Sequence, residues 1–186
     1  MVRINKLYTR TGDDGFTGLG DGSRRSKADA RVAAMGDIDE ANAHIGLARL
    51  CASAETDAVL ARVQNDLFDL GADLCLPNLD GVERPLRIDP MQVSWLEARI
   101  DDATAALSPL TSFILPAGSA ASAGLHLART VTRRAERTLT TLKASEPLNP
   151  AVMAYVNRLS DLLFALARIE NDSGRSDVIW IPGGER

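Results

Sequence analysis

An arginine-rich stretch near residue 130 carries the clearest chemistry in this 186-residue sequence. Its charged side chains recur at intervals of three and four residues, which places them on one face of a helix. Guanidinium groups match phosphate oxygens bidentately, so this face suits a polyphosphate ligand. A solvated face with internal Glu–Arg pairs fits the same pattern. The face contains His126, Arg129, Arg133, Glu136 and Arg137, with Arg134 beside it.

The N-terminal segment from Thr9 to Gly20 is rich in glycine, threonine and aspartate. Glycines let backbone N–H groups converge on an anion, and threonine hydroxyls add donors. Arg10 and Lys27 supply positive charge. A plain surface turn explains the same composition. The segment lacks the Gly-Lys-Ser/Thr of a Walker loop, and its acidic spacing does not fit a calcium-binding EF-hand.

Acidic residues cluster at Asp37, Asp39 and Glu40 in the first helical segment. A ferritin-like di-metal centre requires Glu-x-x-His pairs, which this sequence lacks. We therefore expect these acids to pair with arginines of the fourth helix, within or between subunits. His44 and His126 are too few for a zinc site and are predicted to make ordinary polar contacts. No protein nucleophile stands beside a plausible base.

The elements that position these residues are helical. Apolar residues recur at the helical period in five segments, and Asp89 followed by Pro90 is typical of a helix start. The pattern predicts an all-α single domain spanning 1–186, with a loop at 1–27 that ligand orders, a helical body at 28–173 and a tail at 174–186. The predicted helices span about 29–52, 55–76, 89–107, 118–142 and 149–172.

Composition limits the class of partner. The net charge of −4 disfavours nucleic acid, which needs a broad basic face. No signal-like stretch or membrane-spanning apolar run is present, so we expect a cytoplasmic protein that does not bind a membrane. Cys51 and Cys75 are expected to be reduced thiols in apolar helical surroundings.

Several motifs, in one order, resemble those of the PduO-type ATP:cob(I)alamin adenosyltransferases. The resemblance covers nearly the whole chain, which makes it far more specific than any single motif. It implies a five-helix bundle with ferritin-like up-down packing, assembled as a homotrimer with active sites between subunits. The matching segments are residues 9–18, 24–27, 36–42, 113–116, 128–137 and 155–161.

The resemblance also implies the reaction. Cobalt(I) of cobalamin or a related corrinoid attacks the ribose C5′ of ATP, triphosphate leaves, and adenosylcobalamin forms without a general base. Magnesium accompanies the triphosphate, bound through ATP rather than by the protein. A flavin-type reductant and a cobalamin-dependent client enzyme are the implied partners. The residues matching the family's ATP site are Thr9, Arg10, Thr11, Gly12, Thr17, Gly18, Lys27, Arg133, Arg134, Glu136, Arg137 and Asn157.

The catalytic set implied by the resemblance is Arg129, Arg133, Asp39 and Phe113. In this set Asp39 pairs with Arg129 across the subunit boundary. Phe113 lies beneath the corrin and keeps a lower axial ligand off cobalt, with Phe164 nearby. Two other functions stay open on the residues alone. One is a non-catalytic module that carries ATP or corrinoid, and the other is a helical bundle whose basic face only joins subunits.

Overall fold

The computed structural model describes residues 8–77 and 85–183, in which five helices follow a short hairpin. The predicted all-α class and the five helices are confirmed, with ends shifted by a few residues. Residues 1–7, the segment 78–84 between the second and third helices, and the last three tail residues lie outside the described part. The elements are β1 (Phe16–Gly18), β2 (Arg24–Ser26), α1 (Ala30–Arg49), α2 (Ala54–Leu74), α3 (Pro90–Ala105), α4 (Ala120–Lys143) and α5 (Pro150–Ile169).

A polar side chain caps the start of every helix. Asp89 accepts hydrogen bonds from the backbone N–H groups of Met91 and Gln92, and the Gln92 side chain bonds back to the Asp89 backbone. Such caps satisfy backbone N–H groups that have no partner within the helix. They fix where each helix begins and so the register of its faces. The capping residues are Asp29, Ser53, Asp89, Ser119 and Asn149.

Helix α4 lies between α1 and α5 and buries a face of small and aliphatic side chains. Gly124 allows close approach, because an added Cβ would lie 3.2 Å from the Cα of Ala48 on α1. Ala128, Ala135 and Leu139 are fully buried in the same face. The packing turns the opposite side of α4, with its arginines, away from the core. No helix in residues 8–77 and 85–183 is long and apolar enough to cross a membrane.

The N-terminal loop (residues 8–27) contains the antiparallel hairpin β1–β2, which the sequence did not predict. Buried Leu19 and a hydrogen bond from the Gly20 N–H to the Cys75 carbonyl (2.8 Å) attach it to the end of α2. Arg25 reaches Glu146, just beyond α4, at 2.9 Å. Tertiary contacts of this kind, rather than local propensity, account for strands only three residues long.

The cysteine prediction needs correction. Cys51 is exposed just beyond the end of α1, and Cys75 is partly exposed at the C-terminal cap of α2. Both positions lie where a helix ends, so the apolar pattern of the preceding residues no longer determines burial. Both thiols are free.

Candidate functional site

The structure contains a cavity of about 560 Å³ and another of about 540 Å³, and the second brings predicted residues together. It lies where the connector between α3 and α4, residues 108–119, crosses α4 and α5. Phe113, Arg129 and Phe164, which sequence places far apart, share its wall. We call it the aromatic pocket, and it is lined by Leu110, Ser112, Phe113, Ile114, Pro116, His126, Arg129 and Phe164.

Phe113 projects from the connector with 77 % of its surface exposed. Its ring meets that of Trp180 edge to face, with centroids 6.0 Å apart. The Trp180 N–H donates to the Phe113 carbonyl at 2.9 Å, and the Leu115 N–H donates to the Val178 carbonyl at 2.7 Å. The apolar tail therefore pairs with the connector of its own chain and forms part of the pocket's surroundings.

His126 is the residue of this pocket that sequence reasoning misjudged. Its ring is 2 % exposed and packs edge to face on Phe164, and neither ring nitrogen has a hydrogen-bond partner in the described residues. Burial lowers the pKa of His126, and the charge of Arg129 lowers it further, while Asp177 opposes the shift. The prediction of an ordinary polar contact is wrong here, because the side chain is a neutral imidazole in aromatic surroundings.

Arg129 extends over the Phe164 ring, with 5.9 Å between guanidinium carbon and ring centroid. Its Nε is buried without a hydrogen-bond partner in the described part of the chain. Burial lowers the pKa of Arg129, and nearby Arg133 acts in the same direction. Asp39 is exposed on α1 and forms no ion pair with Arg129 within one chain. Their predicted pairing across a subunit boundary stays a prediction.

Arg133 and Arg137 are exposed in the middle of α4, and the Arg137 side chain donates to the Arg133 carbonyl at 3.1 Å. Neither forms an ion pair with a carboxylate of residues 8–77 or 85–183. Glu136 instead accepts a hydrogen bond of 2.8 Å from Asn157 on α5. The alternative of a face satisfied by internal Glu–Arg pairs therefore does not describe these two arginines, which leave two cations facing outward.

Arg134 has a different setting from its neighbours. It is turned roughly 100° from Arg133 around the helix. Its guanidinium pairs with Asp37 at 3.2 Å and with Glu40, both on α1. Thr138 also donates to Asp37, at 2.5 Å. The predicted pairing of first-helix acids with an α4 arginine is confirmed, whereas the geometry lends no support to Arg134 as an ATP ligand.

The predicted nucleotide residues of the N-terminal loop make few contacts, and one of these joins Lys27 to Gly12. The Lys27 ammonium donates to the Gly12 carbonyl at 2.7 Å. The hydroxyls of Thr9 and Thr11 are 2.8 Å apart. Arg10 adopts a positive φ of 61°, and its guanidinium lies over the Tyr8 ring. Thr17 and Gly18 lie on β1 just beyond this cluster. The loop thus presents hydroxyls and two cations on an exposed surface.

The predicted site residues fall into two groups within one chain. The N-terminal loop is attached beside Glu146, just after α4 ends at Lys143. The aromatic pocket surrounds Arg129, which lies about 20 Å back along the helix axis. Arg133 and Arg137 lie between the two groups. In the described residues, no group of three or more His, Cys, Asp or Glu side chains could hold a metal ion.

Comparison with known proteins identifies the family. The model of the cobalamin adenosyltransferase family matches residues 7–170. A corrinoid adenosyltransferase of Mycobacterium tuberculosis is 50% identical over 190 residues, covering 100% of this chain and 97% of its own. A cobalamin adenosyltransferase of Cupriavidus metallidurans is 49% identical over 181 residues, covering 96% of this chain and 95% of its own.

A solved structure has the same fold. It is a variant PduO-type ATP:corrinoid adenosyltransferase from Lactobacillus reuteri complexed with cobalamin and ATP. The two chains are 36% identical and superpose with a TM-score of 0.86, over 94% of this chain and 96% of the other. The order of motifs, the five helices and these comparisons agree, and the chain belongs to the cobalamin adenosyltransferase family.

Proposed function

We propose that this protein transfers the 5′-deoxyadenosyl group of ATP to the cobalt of cobalamin or a related corrinoid and releases triphosphate. One observation supports the proposal in addition to family membership. Phe113 and Phe164 form an apolar pocket beside Arg129, and Arg133 and Arg137 lie further along the same helix without carboxylate partners in the described residues. This arrangement supports the proposal, because an apolar pocket suits a flat macrocycle and the nearby cations suit a polyphosphate.

The chemistry explains why the site needs no protein base. Cobalt(I) supplies the electron pair that forms the bond to C5′. The bond between C5′ and the triphosphate oxygen breaks, and its electron pair leaves with triphosphate. The protein must hold C5′ in line with cobalt and stabilise the charge that develops on the leaving group. Arg133, Arg137 and Lys27 are the cations that we assign to this charge.

Phe113 is assigned to the lower face of the corrin. Its ring is exposed and braced by Trp180, so an apolar surface stands where water or a side chain would otherwise reach cobalt. Loss of an axial electron donor makes cobalt(II) easier to reduce to the nucleophilic cobalt(I). Phe164, beneath Arg129, extends the same apolar surface.

Magnesium is the further ion that we propose. The triphosphate of ATP carries about four negative charges near neutral pH. Lys27, Arg133 and Arg137 offset only part of this charge. Mg²⁺ is usually bound through substrate phosphates and water rather than by an all-protein cage. We therefore assign the ion to phosphate oxygens, where it would add to the neutralisation of the leaving group.

A homotrimer with sites between subunits is part of the proposal. The separation of the N-terminal loop from the aromatic pocket supports it, because one chain does not bring them together. Asp39 has no ion-pair partner among residues 8–77 and 85–183, and the buried Nε of Arg129 has no hydrogen-bond partner there; both observations support a shared site as well. Asp39 borders an apolar groove of about 560 Å³ between α1 and α2, where Phe68 is 72 % exposed. A neighbouring copy covering this groove would bury Phe68 and reach Asp39.

The direct test is anaerobic incubation with ATP, magnesium and chemically reduced cobalamin. We expect adenosylcobalamin and triphosphate in equal amounts. Binding of ATP and corrinoid without turnover would favour a cytoplasmic carrier that delivers cofactor to a client enzyme. Calorimetry that detects no ATP binding would favour a basic face used only between subunits.

A further inference from the structure

A cluster of buried polar side chains at the end of α5 has no part in the chemistry above. Arg168 donates from Nε to Asp177 at 2.7 Å, and the two side chains are only 8 % and 2 % exposed. Asn171 is also buried and donates to the other Asp177 oxygen at 3.2 Å. Removing both charges from water costs nearly what their attraction returns, so such a pair contributes little net stability. What it does provide is a fixed geometry.

The remaining hydrogen bonds of this Arg168 cluster (Arg168, Asn171 and Asp177) end on the connector. Arg168 donates from Nη2 to the Ser108 carbonyl at 3.0 Å. Asn171 donates to the Ala117 carbonyl at 3.2 Å and accepts from the Ser119 N–H at 2.9 Å. Both ends of the connector are thereby held. The stretch between them, 110–116, supplies five of the eight residues that line the aromatic pocket.

Two glycines show how closely the cluster fits. Gly118 has a φ of +113°, and a Cβ there would lie 2.2 Å from the Asn171 side-chain oxygen. Gly174 has a φ of +85°, and a Cβ there would lie 2.8 Å from Nη2 of Arg168. A side chain at either position would be strained and would displace the cluster. The cluster therefore has little room to shift relative to the connector.

The same cluster also fixes the position where the tail begins. Asp177 precedes the segment that pairs with the connector through Val178 and Trp180. The Trp180 ring meets Phe113 edge to face. One buried carboxylate is thus hydrogen-bonded to the end of α5 and immediately precedes the tail segment that contacts Phe113.

We infer that Arg168, Asn171 and Asp177 are positioning residues for the corrin-binding face, acting on Phe113 through the connector and the tail. The inference rests on the proposed function, in which Phe113 lies against the corrin. Phe113 is largely exposed, so its position depends on the connector that carries it and on the tail residue Trp180 that contacts it. The cluster fixes it from both sides. A displacement of about 1 Å at a reacting centre can cost about a hundredfold in rate.

The test is Asp177→Asn, which keeps the size of the side chain and removes its charge. We expect the dissociation constant for cob(II)alamin, measured with ATP present, to rise at least about tenfold. The four-coordinate cobalt(II) signal in electron paramagnetic resonance should fall. The dissociation constant for ATP should stay within about twofold, because distant sites behave additively. None of these three readouts needs turnover.

Asp66→Asn is the matched control. Asp66 is a buried carboxylate that accepts hydrogen bonds from Gln92 and Tyr155, away from the connector. It should lower the melting temperature and leave the cobalt spectrum unchanged. Trp180→Ala is a second variant, chosen because the ring is 39 % exposed and its loss should not threaten folding. It should also reduce the four-coordinate signal.

The inference is overturned if Asp177→Asn and Trp180→Ala both bind cob(II)alamin as the wild type does and give its spectrum, however far the melting temperature falls. It is also overturned if ATP affinity falls in parallel, because that outcome marks general loss of structure. Should Asp177→Asn not fold, the spectrum of Trp180→Ala decides. Failure of the proposed function would look different, since the wild type itself would make no adenosylcobalamin.

Discussion

Replacing Arg133 should lower the catalytic activity strongly and change the stability of the fold very little. It is exposed on α4 and forms no ion pair with a carboxylate of the described chain. Removing one preorganised donor to a developing charge typically costs about 10²-fold to 10³-fold in rate. We expect Arg133→Ala to lose that much kcat/KM for ATP at an unchanged melting temperature. Arg62→Ala, an exposed arginine on α2, should keep activity. Near wild-type turnover of Arg133→Ala would remove this residue from the phosphate site.

His126 should make the fold sensitive to mild acid. Burial lowers its pKa below the ordinary value of 6.5. Between the lowered and the ordinary pKa, the unfolded chain binds a proton that the folded chain does not. Stability therefore rises with pH through this window and falls as pH drops below about 6.5.

His126→Leu should reduce this sensitivity. It removes the titrating group together with two ring nitrogens that lack partners in the described chain. Urea unfolding at about pH 7.5 and about pH 5.5 should show a smaller loss of unfolding free energy in the variant than in the wild type. Carboxylates with lowered pKa contribute equally to both proteins. An equal loss in the two proteins would contradict the assignment of a neutral, buried imidazole.

At the same scale, residue spacing predicted the α4 arginine face, and the family resemblance implied the two pocket aromatics, because motif residues keep their identity wherever the chain folds. They did not predict His126 as a pocket residue, since its setting depends on Phe164 of another helix. The positioning role of Arg168 and Asp177 was not predicted, for the same reason. The partner of Arg168 in the connector, Ser108, lies 60 residues away in sequence, and no spacing rule links the two.

Among the elements, the helices followed from apolar periodicity and caps such as Asp89 and Asn149. The hairpin did not, because its strands are held by contacts with distant residues. Arg31, only 2 % exposed, donates from Nη2 to Glu146 at 2.7 Å, and Arg25 donates to the same carboxylate. These ion pairs join the N-terminal loop, the start of α1 and the end of α4.

Glu146→Ala should therefore loosen several elements at once. The change leaves the buried charge of Arg31 without its carboxylate, which typically costs about 3 kcal/mol or more of unfolding free energy. The hydrogen bond from Arg31 is the main cause of the lowered pKa of Glu146, so this contribution is lost as pH falls through that lowered pKa. Urea titration measures the loss. Asp57→Ala removes a partly buried pair with Arg49 that is more exposed than the Arg31–Glu146 pair, and it should cost much less. Equal costs would show that burial of Arg31 is not decisive.

Across the whole molecule, the separation of the N-terminal loop from the aromatic pocket leads to a complementation test. Lys27→Ala should disable the N-terminal loop, and Phe113→Ala should disable the aromatic pocket. Each variant alone should therefore be nearly inactive. If a site takes its loop from one subunit and its pocket from another, random mixing restores about a quarter of the sites. Co-refolded mixtures should then regain activity, while separately folded mixtures should not. Mixtures that remain inactive would contradict a site shared between subunits.

The central claim is that the adenosyl carbon of ATP becomes bonded to cobalt in this protein. The most direct measurement uses ATP isotopically labelled at C5′, with reduced cobalamin and magnesium in the absence of oxygen. Nuclear magnetic resonance of the corrinoid product should find the label in the carbon attached to cobalt, with unlabelled triphosphate released in equal amount. Label that remains in ATP, or that appears only in free adenosine, would contradict the account.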